Sequence, residues 1–419
     1  MDISLIENHI DISHLDQYAA IIGQYPSKGA RSPKLWNAVF ESEKRNCKML
    51  PLDVKKENNF DGSLTKFDVD LSGFKSAISS IGDYCRDDAL LLVESTVPPG
   101  TCEKIVQPII KDCLQKRGLL NGDIKIAHSY ERVMPGPGYI DSIQNFYRVY
   151  SGIDNKSAKA AESFLHTIIH TDKYPLTRLK STNATEMAKV LENSYRAMNI
   201  AFMVEWSRYS EETDVDIYEV INAIRLRPTH SNLMYPGIGV GGYCLTKDAL
   251  LASWSRQHLF DVKEPLTQSE NAININDQMP RMAYEFLKRN IPTLQDLRIL
   301  LLGISYRGDV GDTRSSPVEN FYNYLMKDKA LIQCHDPYIE YWQEKSIQVE
   351  KDLLKLLNDP PDIIIFSAGH SLYKKDKTLK IIYNLPKVFL YDTIGLLSNK
   401  QINYLKKNHT VKVLGRGDI

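Results

Sequence analysis

Residues 235 to 248 read Tyr-Pro-Gly-Ile-Gly-Val-Gly-Gly-Tyr-Cys-Leu-Thr-Lys-Asp, a glycine-rich turn that delivers Cys244 beside Lys247 and Asp248. Gly237, Gly239, Gly241 and Gly242 lack the Cβ atoms that hold a backbone away from a ligand, so their N–H groups are expected to face phosphate or sugar oxygens. A cysteine delivered there is a candidate nucleophile. The thiolate is the reactive form, and Lys247 is placed to favour it. A plainer reading stands beside this one, because most single cysteines are small buried hydrophobes and most glycine runs are loops.

Such a group needs a rigid frame, and the middle of the chain supplies a candidate. Residues 176 to 227 contain neither Gly nor Pro, and a long helix is expected to start at Ser181-Thr182-Asn183, whose side chains suit its first N–H groups. Glu186, Lys189, Asn193 and Arg196 recur at i, i+3, i+7 and i+10, forming one polar stripe. Met187, Leu191, Met198, Ala201 and Phe202 occupy the other faces, which suggests a helix buried on several sides. Taken alone, the stripe reads first as a solvated face with intrahelical ion pairs.

On either side the pattern is α/β. Ala89–Glu94 reads as a buried strand ending at the turn Ser95-Thr96-Val97-Pro98-Pro99-Gly100, and Ile124–Ala127 as a strand ending at His128-Ser-Tyr-Glu-Arg132. Both place polar groups just past a strand's carboxyl end, where open parallel sheets bind ligands. Later strands are expected at Arg298–Leu302, Ala330–Cys334, Asp362–Phe366 and Val388–Tyr391, alternating with helical segments, so a second doubly wound sheet is expected.

Composition narrows the class. The 419 residues allow two or three domains, and 52 basic against 52 acidic residues give no overall charge to draw the chain to nucleic acid or an anionic membrane. The apolar runs are strand-sized and the first residues do not form a secretory leader, so a cytoplasmic protein is expected. The six cysteines at 47, 85, 102, 113, 244 and 334 form no CxxC pair, and neither a metal site nor a disulfide framework is implied.

From about Ser72 onward the chain resembles the nucleotide-sugar 6-dehydrogenases, the family of UDP-glucose, UDP-N-acetylmannosamine and GDP-mannose dehydrogenases. Five separated stretches carry the likeness: Glu94-Ser-Thr-Val-Pro-Pro-Gly-Thr101, Tyr130-Glu-Arg-Val-Met-Pro-Gly136, Glu186-Met-Ala-Lys-Val-Leu-Glu-Asn193, the glycine-cysteine loop, and Leu302-Gly-Ile-Ser-Tyr-Arg-Gly-Asp-Val-Gly-Asp-Thr-Arg314. Their order and spacing together are far more specific than any one of them. The resemblance implies two Rossmann-like doubly wound domains joined by a long central helix, and NAD-dependent oxidation of a UDP-sugar C6 alcohol to the uronic acid.

It also implies roles. Cys244 would hold the aldehyde as a thiohemiacetal and then a thioester. Lys189 and Asn193 would meet developing oxyanions, Asp248 would orient Lys189 or a water, and Glu131 with Thr96 would handle water or a proton. Arg227, His230, Tyr235, Gly237, Gly241, Gly242 and Arg307 would bind substrate, Arg227 and His230 across a homodimer interface made by the central helix. Ser95, Lys247 and Arg314 would lie on the cofactor side.

The N-terminus departs from the family. No Gly-x-Gly-x-x-Gly turn occurs in residues 1 to 70. Instead residues 21–40 and Met49-Leu-Pro-Leu-Asp-Val54 resemble the opening of the shikimate dehydrogenase substrate domain, with Gly29-Ala-Arg-Ser-Pro33 where that family has His-Ser-x-Ser-Pro. If another loop contacts NAD, the stretch from Ile22-Gly23 to Ser32-Pro33 is the candidate. A nucleotide-sugar-binding protein or a non-oxidative enzyme on the same scaffold, without NAD, is the alternative. The expected organisation is 1–70 an atypical βα segment, 71–175 the rest of the first Rossmann-like domain, 176–290 a central helical dimerisation domain, and 291–419 a nucleotide-sugar-binding domain.

Overall fold

The computed structural model describes residues 67–119, 123–133 and 138–419, together with residues 37 and 41 and the backbone of strands 17–23 and 47–53. Residues 24–33, which carry the shikimate-like motif and most of the alternative NAD loop, lie outside the described residues, as do 134–137. The chain forms two compact units: Met1–Glu192 with Leu250–Leu266, and Asn193–Ala249 with Thr267–Ile419.

In the first unit, β1 (Gln17–Gly23) and β2 (Cys47–Asp53) run parallel, and Gly23 and Asp53 stand opposite each other at their carboxyl ends. Then follow α1 (Ser72–Tyr84), β3 (Leu90–Val93), a π-helical turn at Cys102–Val106 that runs into α2 (Gln107–Lys116), β4 (Lys125–His128), α3 (Tyr139–Gln144), β5 (Val149–Gly152), α4 (Asn155–His166) and β6 (Thr177–Arg178). β3 and β4 are parallel, β5 is antiparallel to β4, and β6 is parallel to β5. Successive residues of β4 point to opposite faces. Ile126 packs with Ile78, Val93, Val106 and Ile110, whereas Ala127 packs with Tyr150, Ala158, Ala161 and Leu165. Both faces are covered, which is why these strands read as unbroken apolar runs.

Helix α5 (Thr182–Glu212) begins where the sequence places it, with the Ser181 hydroxyl accepting the Ala184 N–H at 3.3 Å. Its packing differs from the expectation of burial on several sides. Val190, Ala197, Ala201 and Val204 are buried, but Met187, Leu191, Tyr195, Met198, Phe202, Trp206 and Tyr209, spaced three or four residues apart, are 37–64% exposed. One apolar face of the helix is open along its length. The helix ends before the glycine-free run does, and α6 (Ile217–Arg225) starts after Asp216 caps it.

The second unit continues with α7 (Cys244–His258), which crosses into the first unit after Ala249, and α8 (Thr267–Asn290). It ends in a five-stranded sheet with its covering helices and a separate hairpin, in chain order β7 (Arg298–Leu302), α9 (Pro317–Lys327), β8 (Leu331–His335), the hairpin β9 (Tyr341–Trp342) and β10 (Ile347–Gln348), α10 (Leu353–Leu357), β11 (Ile363–Phe366), α11 (Asp376–Tyr383), β12 (Phe389–Asp392), α12 (Asn399–Leu405) and β13 (Thr410–Val413). The four strands expected here from the sequence are all present, with ends within one residue. Within the five-stranded sheet every pairing is parallel, in the order β13-β12-β11-β7-β8, and β9 and β10 pair antiparallel beside it in the chain. Ile299, Leu301, Ile363 and Ile365 face one core, and Leu300, Leu302, Ile364 and Phe366 the other. The order reverses between β7 and β11, so their carboxyl ends open the crevice where a doubly wound sheet binds its ligand. Among the described residues no helix is long and apolar enough to cross a membrane.

Candidate active site

Cys244 is exposed and is the first residue of α7, at the positive end of that helix, which favours an anion. One turn later Asp248 is fully buried. Its Oδ2 accepts the Asn193 amide at 2.6 Å and its Oδ1 the Lys247 ammonium at 3.0 Å. Asp248 is thereby tied to Asn193 of the long helix and to its neighbour Lys247.

The glycines of the loop answer to protein neighbours as much as to any ligand. A Cβ on Gly239 would lie 2.2 Å from Pro317, and one on Gly241 2.4 Å from Tyr306. Gly242 takes φ +79°, a left-handed conformation that glycine adopts without strain, with the Tyr306 ring against it. Only Gly237 is open, its nearest neighbour being Thr393 O at 3.9 Å. The loop is thus seated on the segment from Ser305 to Pro317. Burial raises the Tyr306 hydroxyl above its usual range, with Asp312 and Cys244 adding to the effect. Nothing in the bare sequence singled out Tyr306.

The other substrate and cofactor candidates of this unit lie at its surface. Arg307 is exposed just past β7. Arg314 forks onto Asp312, with its Nε at 2.9 Å from Oδ1 and its second amino group at 2.6 Å from Oδ2, and stacks over Tyr243 at 5.2 Å. Part of that guanidinium is therefore already engaged. Arg227 and His230 are exposed, flanking and ending the 3-10 turn Pro228–His230. Tyr235 stacks on Tyr218 at 5.7 Å and lies under Arg225 at 4.8 Å.

The first unit holds a second constellation. Lys189 is 8% exposed, and its ammonium donates to the Glu131 carbonyl at 2.9 Å and lies over the Tyr130 ring at 5.6 Å. The Glu131 carboxylate turns back to accept the Val133 N–H. Ser95 and Thr96 lie two and three residues past β3 and are half-buried. Glu94 lies against Arg148, and burial raises its carboxyl above the usual range against that cation's pull. His128, at the end of β4, is buried with its Nδ1 2.9 Å from Thr185 Oγ1, and burial pushes its pKa down to about 3. It is neutral at physiological pH and braces the helix.

Glu186 departs most from its place in the sequence pattern. It shares the stripe of Lys189 and Asn193, yet it is fully buried and accepts the main-chain N–H groups of Gly100 at 2.6 Å and Cys102 at 2.8 Å. Gly100 holds φ +95° against Phe260, Thr101 Oγ1 donates to Pro98 O at 2.6 Å, and Ser255 Oγ donates to Pro99 O at 2.5 Å. The turn that carries Thr96 is thereby clamped to α5 three residues before Lys189.

A parallel doubly wound sheet in one unit, a mixed α/β sheet in the other, polar groups past the strand ends of both and a cysteine on a helix start are the layout of a nucleotide-dependent enzyme. The sequence matches three domains of the UDP-glucose/GDP-mannose dehydrogenase family: the NAD binding domain over residues 40–170, the central domain over 183–278 and the UDP binding domain over 300–399. It is 31% identical over 358 residues to a UDP-N-acetyl-D-mannosamine dehydrogenase of Methanocaldococcus jannaschii, covering 83% of this chain and 75% of the relative. A UDP-N-acetyl-D-mannosamine dehydrogenase of Pyrococcus horikoshii is 30% identical over 380 residues, covering 88% of this chain and 83% of the relative. The fold is shared with the crystal structure of the NDP-N-acetyl-D-galactosaminuronic acid dehydrogenase of Methanosarcina mazei, at TM-score 0.73 and 21% identity over 97% of this chain and 96% of that one. It is shared also with the UDP-D-ManNAc dehydrogenase of Pyrococcus horikoshii, at TM-score 0.74 and 24% identity over 96% and 100%. The chain belongs to the UDP-glucose/GDP-mannose dehydrogenase family and is an NAD-dependent nucleotide-sugar dehydrogenase.

Proposed function

We propose that the chain oxidises the C6 hydroxymethyl group of a UDP-linked sugar, of the N-acetylmannosamine class, to the carboxylate, with Cys244 holding the intermediate. The observation that carries this reading is the exposed Cys244 at the start of α7, one turn before a buried Asp248 that fixes Asn193. The UDP binding domain and the names of the relatives support the choice of nucleotide and sugar.

The first unit offers a fit for NAD without the glycine fingerprint. Gly23 and Asp53 stand opposite each other at the carboxyl ends of parallel β1 and β2, the strand ends at which a dinucleotide fold binds its cofactor, and Ser95 lies two residues past β3. Bound NAD supplies the hydride acceptor for both oxidations.

In the first oxidation the alcohol loses a hydride and a proton and becomes the aldehyde. The Cys244 thiolate adds to the aldehyde carbon, forming a C–S bond and an oxyanion that Lys189 and the Asn193 amide stabilise. Loss of the second hydride leaves a thioester. Water, positioned by Glu131 and Thr96, adds to its carbonyl, the C–S bond breaks with its electron pair returning to sulfur, and the carboxylate departs. Arg307 faces the diphosphate, and Arg227 and His230 reach the substrate of a second copy in a cytoplasmic homodimer.

The test is NADH absorbance from purified protein with NAD and a panel of UDP- and GDP-sugars. UDP-N-acetylmannosamine should give two NADH per sugar. No NADH with any sugar, together with no NAD binding by calorimetry, would sink the proposal.

A further inference from the structure

We infer that His370 is a positioning residue for the nucleotide sugar, locking the loop that carries Arg307 to the two neighbouring strand ends. The inference rests on the reading of Arg307 as the cation that meets the diphosphate, and adds to it the device that holds Arg307 in place.

The loop from Gly303 to Asp309 leaves the carboxyl end of β7, at the point where the strand order reverses. Arg307 lies exposed within it, two residues before Asp309. Nothing about a surface arginine fixes its backbone, so the fixing has to come from behind the loop. His370, in the loop after β11, is fully buried there. The Asp309 main-chain N–H donates to His370 Nδ1 at 2.9 Å, which makes Nδ1 an acceptor and leaves the ring proton on Nε2. That Nε2–H points to Asp336 Oδ2 at 3.0 Å.

Asp336, just past β8, is itself fully buried and accepts from Ile304 N at 3.0 Å, Ser305 N at 3.2 Å and Ser305 Oγ at 2.9 Å, the opening residues of the same loop. One neutral imidazole and one carboxylate therefore grip both ends of the segment that bears Arg307. The far end is held twice, since Asp309 also accepts the Ser371 N–H at 2.9 Å. The two loops touch backbone to backbone: a Cβ on Gly308 would lie 2.2 Å from Gly369 O. The site needs an acceptor toward Asp309 and a donor toward Asp336, and the neutral imidazole holds the two at a fixed spacing.

The consequence is a split between binding and chemistry. His370→Ala should raise the KM for the UDP-sugar, and the dissociation constant for UDP measured by calorimetry, by about tenfold. The KM for NAD and kcat should stay within about threefold of native. His370→Asn, whose Oδ1 replaces the Nδ1 acceptor, should recover part of the loss. Asp309→Gly keeps the φ of +57° accessible, removes the links to Ser371 without a buried cavity, and should weaken UDP in the same direction. It carries the test if His370→Ala does not fold. Arg307→Ala separates the two readings. If Arg307→Ala weakens UDP while His370→Ala and Asp309→Gly bind it as native does, the clamp is wrong and Arg307's role stands. If Arg307→Ala binds UDP as native does, both fall. Equal loss of UDP affinity, NAD affinity and kcat in His370→Ala and Asp309→Gly also overturns the inference, because it marks general damage to the fold.

Discussion

Asn193 Nδ2 donates to Asp248 Oδ2 at 2.6 Å, and neither side chain is more than 6% exposed. The bond joins the long helix to the helix that begins at Cys244, and it leaves the Asn193 amide a single orientation. Asp248→Ala frees that amide and takes away the partner of Lys247. It should lower kcat by about a hundredfold while the KM for the sugar changes much less. Steady-state kinetics decide: a native kcat in this variant removes Asp248 from the account.

Glu186 gives a pH dependence of stability that can be read directly. Burial raises its carboxyl from 4.5 to about 7, against the opposing pull of the N–H groups of Cys102 and Gly100. The folded state therefore holds this proton to higher pH than the unfolded chain. The contribution is complete below pH 4.5 and is lost as the pH rises through about 7. Its size is on the order of 3 kcal/mol. Glu186→Gln cannot titrate, so its melting temperature should fall less than that of the native protein between pH 5 and 7.5. Parallel curves for the two proteins would show that Glu186 does not carry this dependence.

The open face of α5 predicts an assembly. A row of seven apolar side chains with 37–64% of their surface exposed, Met187 to Tyr209, is a poor surface to leave in water and a good one to bury against a copy of itself. In sedimentation equilibrium the protein should run at twice its 47.8 kDa chain mass. Phe202→Glu, at the middle of the row, should shift it toward the single chain. A native monomer would contradict the proposal, and so would a Phe202→Glu dimer of undiminished affinity.

Much of this architecture could be read from the residues. The strands of the second sheet were legible because both faces are covered, which forces short unbroken apolar runs such as Ile363 to Phe366. The start of α5 was legible because Ser181 is a cap and no breaker follows it. Its open face was not, because an apolar residue looks the same in a sequence whether it faces a core or another molecule. Partnerships across the chain were also hidden. Glu186 sits in the right stripe, yet it serves Gly100, which is 86 residues away. The glycines at 239 and 241 look like ligand-facing glycines, and only the folded chain shows Pro317 and Tyr306 against them.

The central claim is that Cys244 carries the substrate between the two oxidations, and the most direct measurement is NADH formation from UDP-N-acetylmannosamine by Cys244→Ala. The exposed position of Cys244 makes the substitution mild for the fold, so a loss of rate reports on chemistry. Turnover should fall by at least about a thousandfold while NAD still binds. Full turnover in Cys244→Ala would contradict the covalent mechanism.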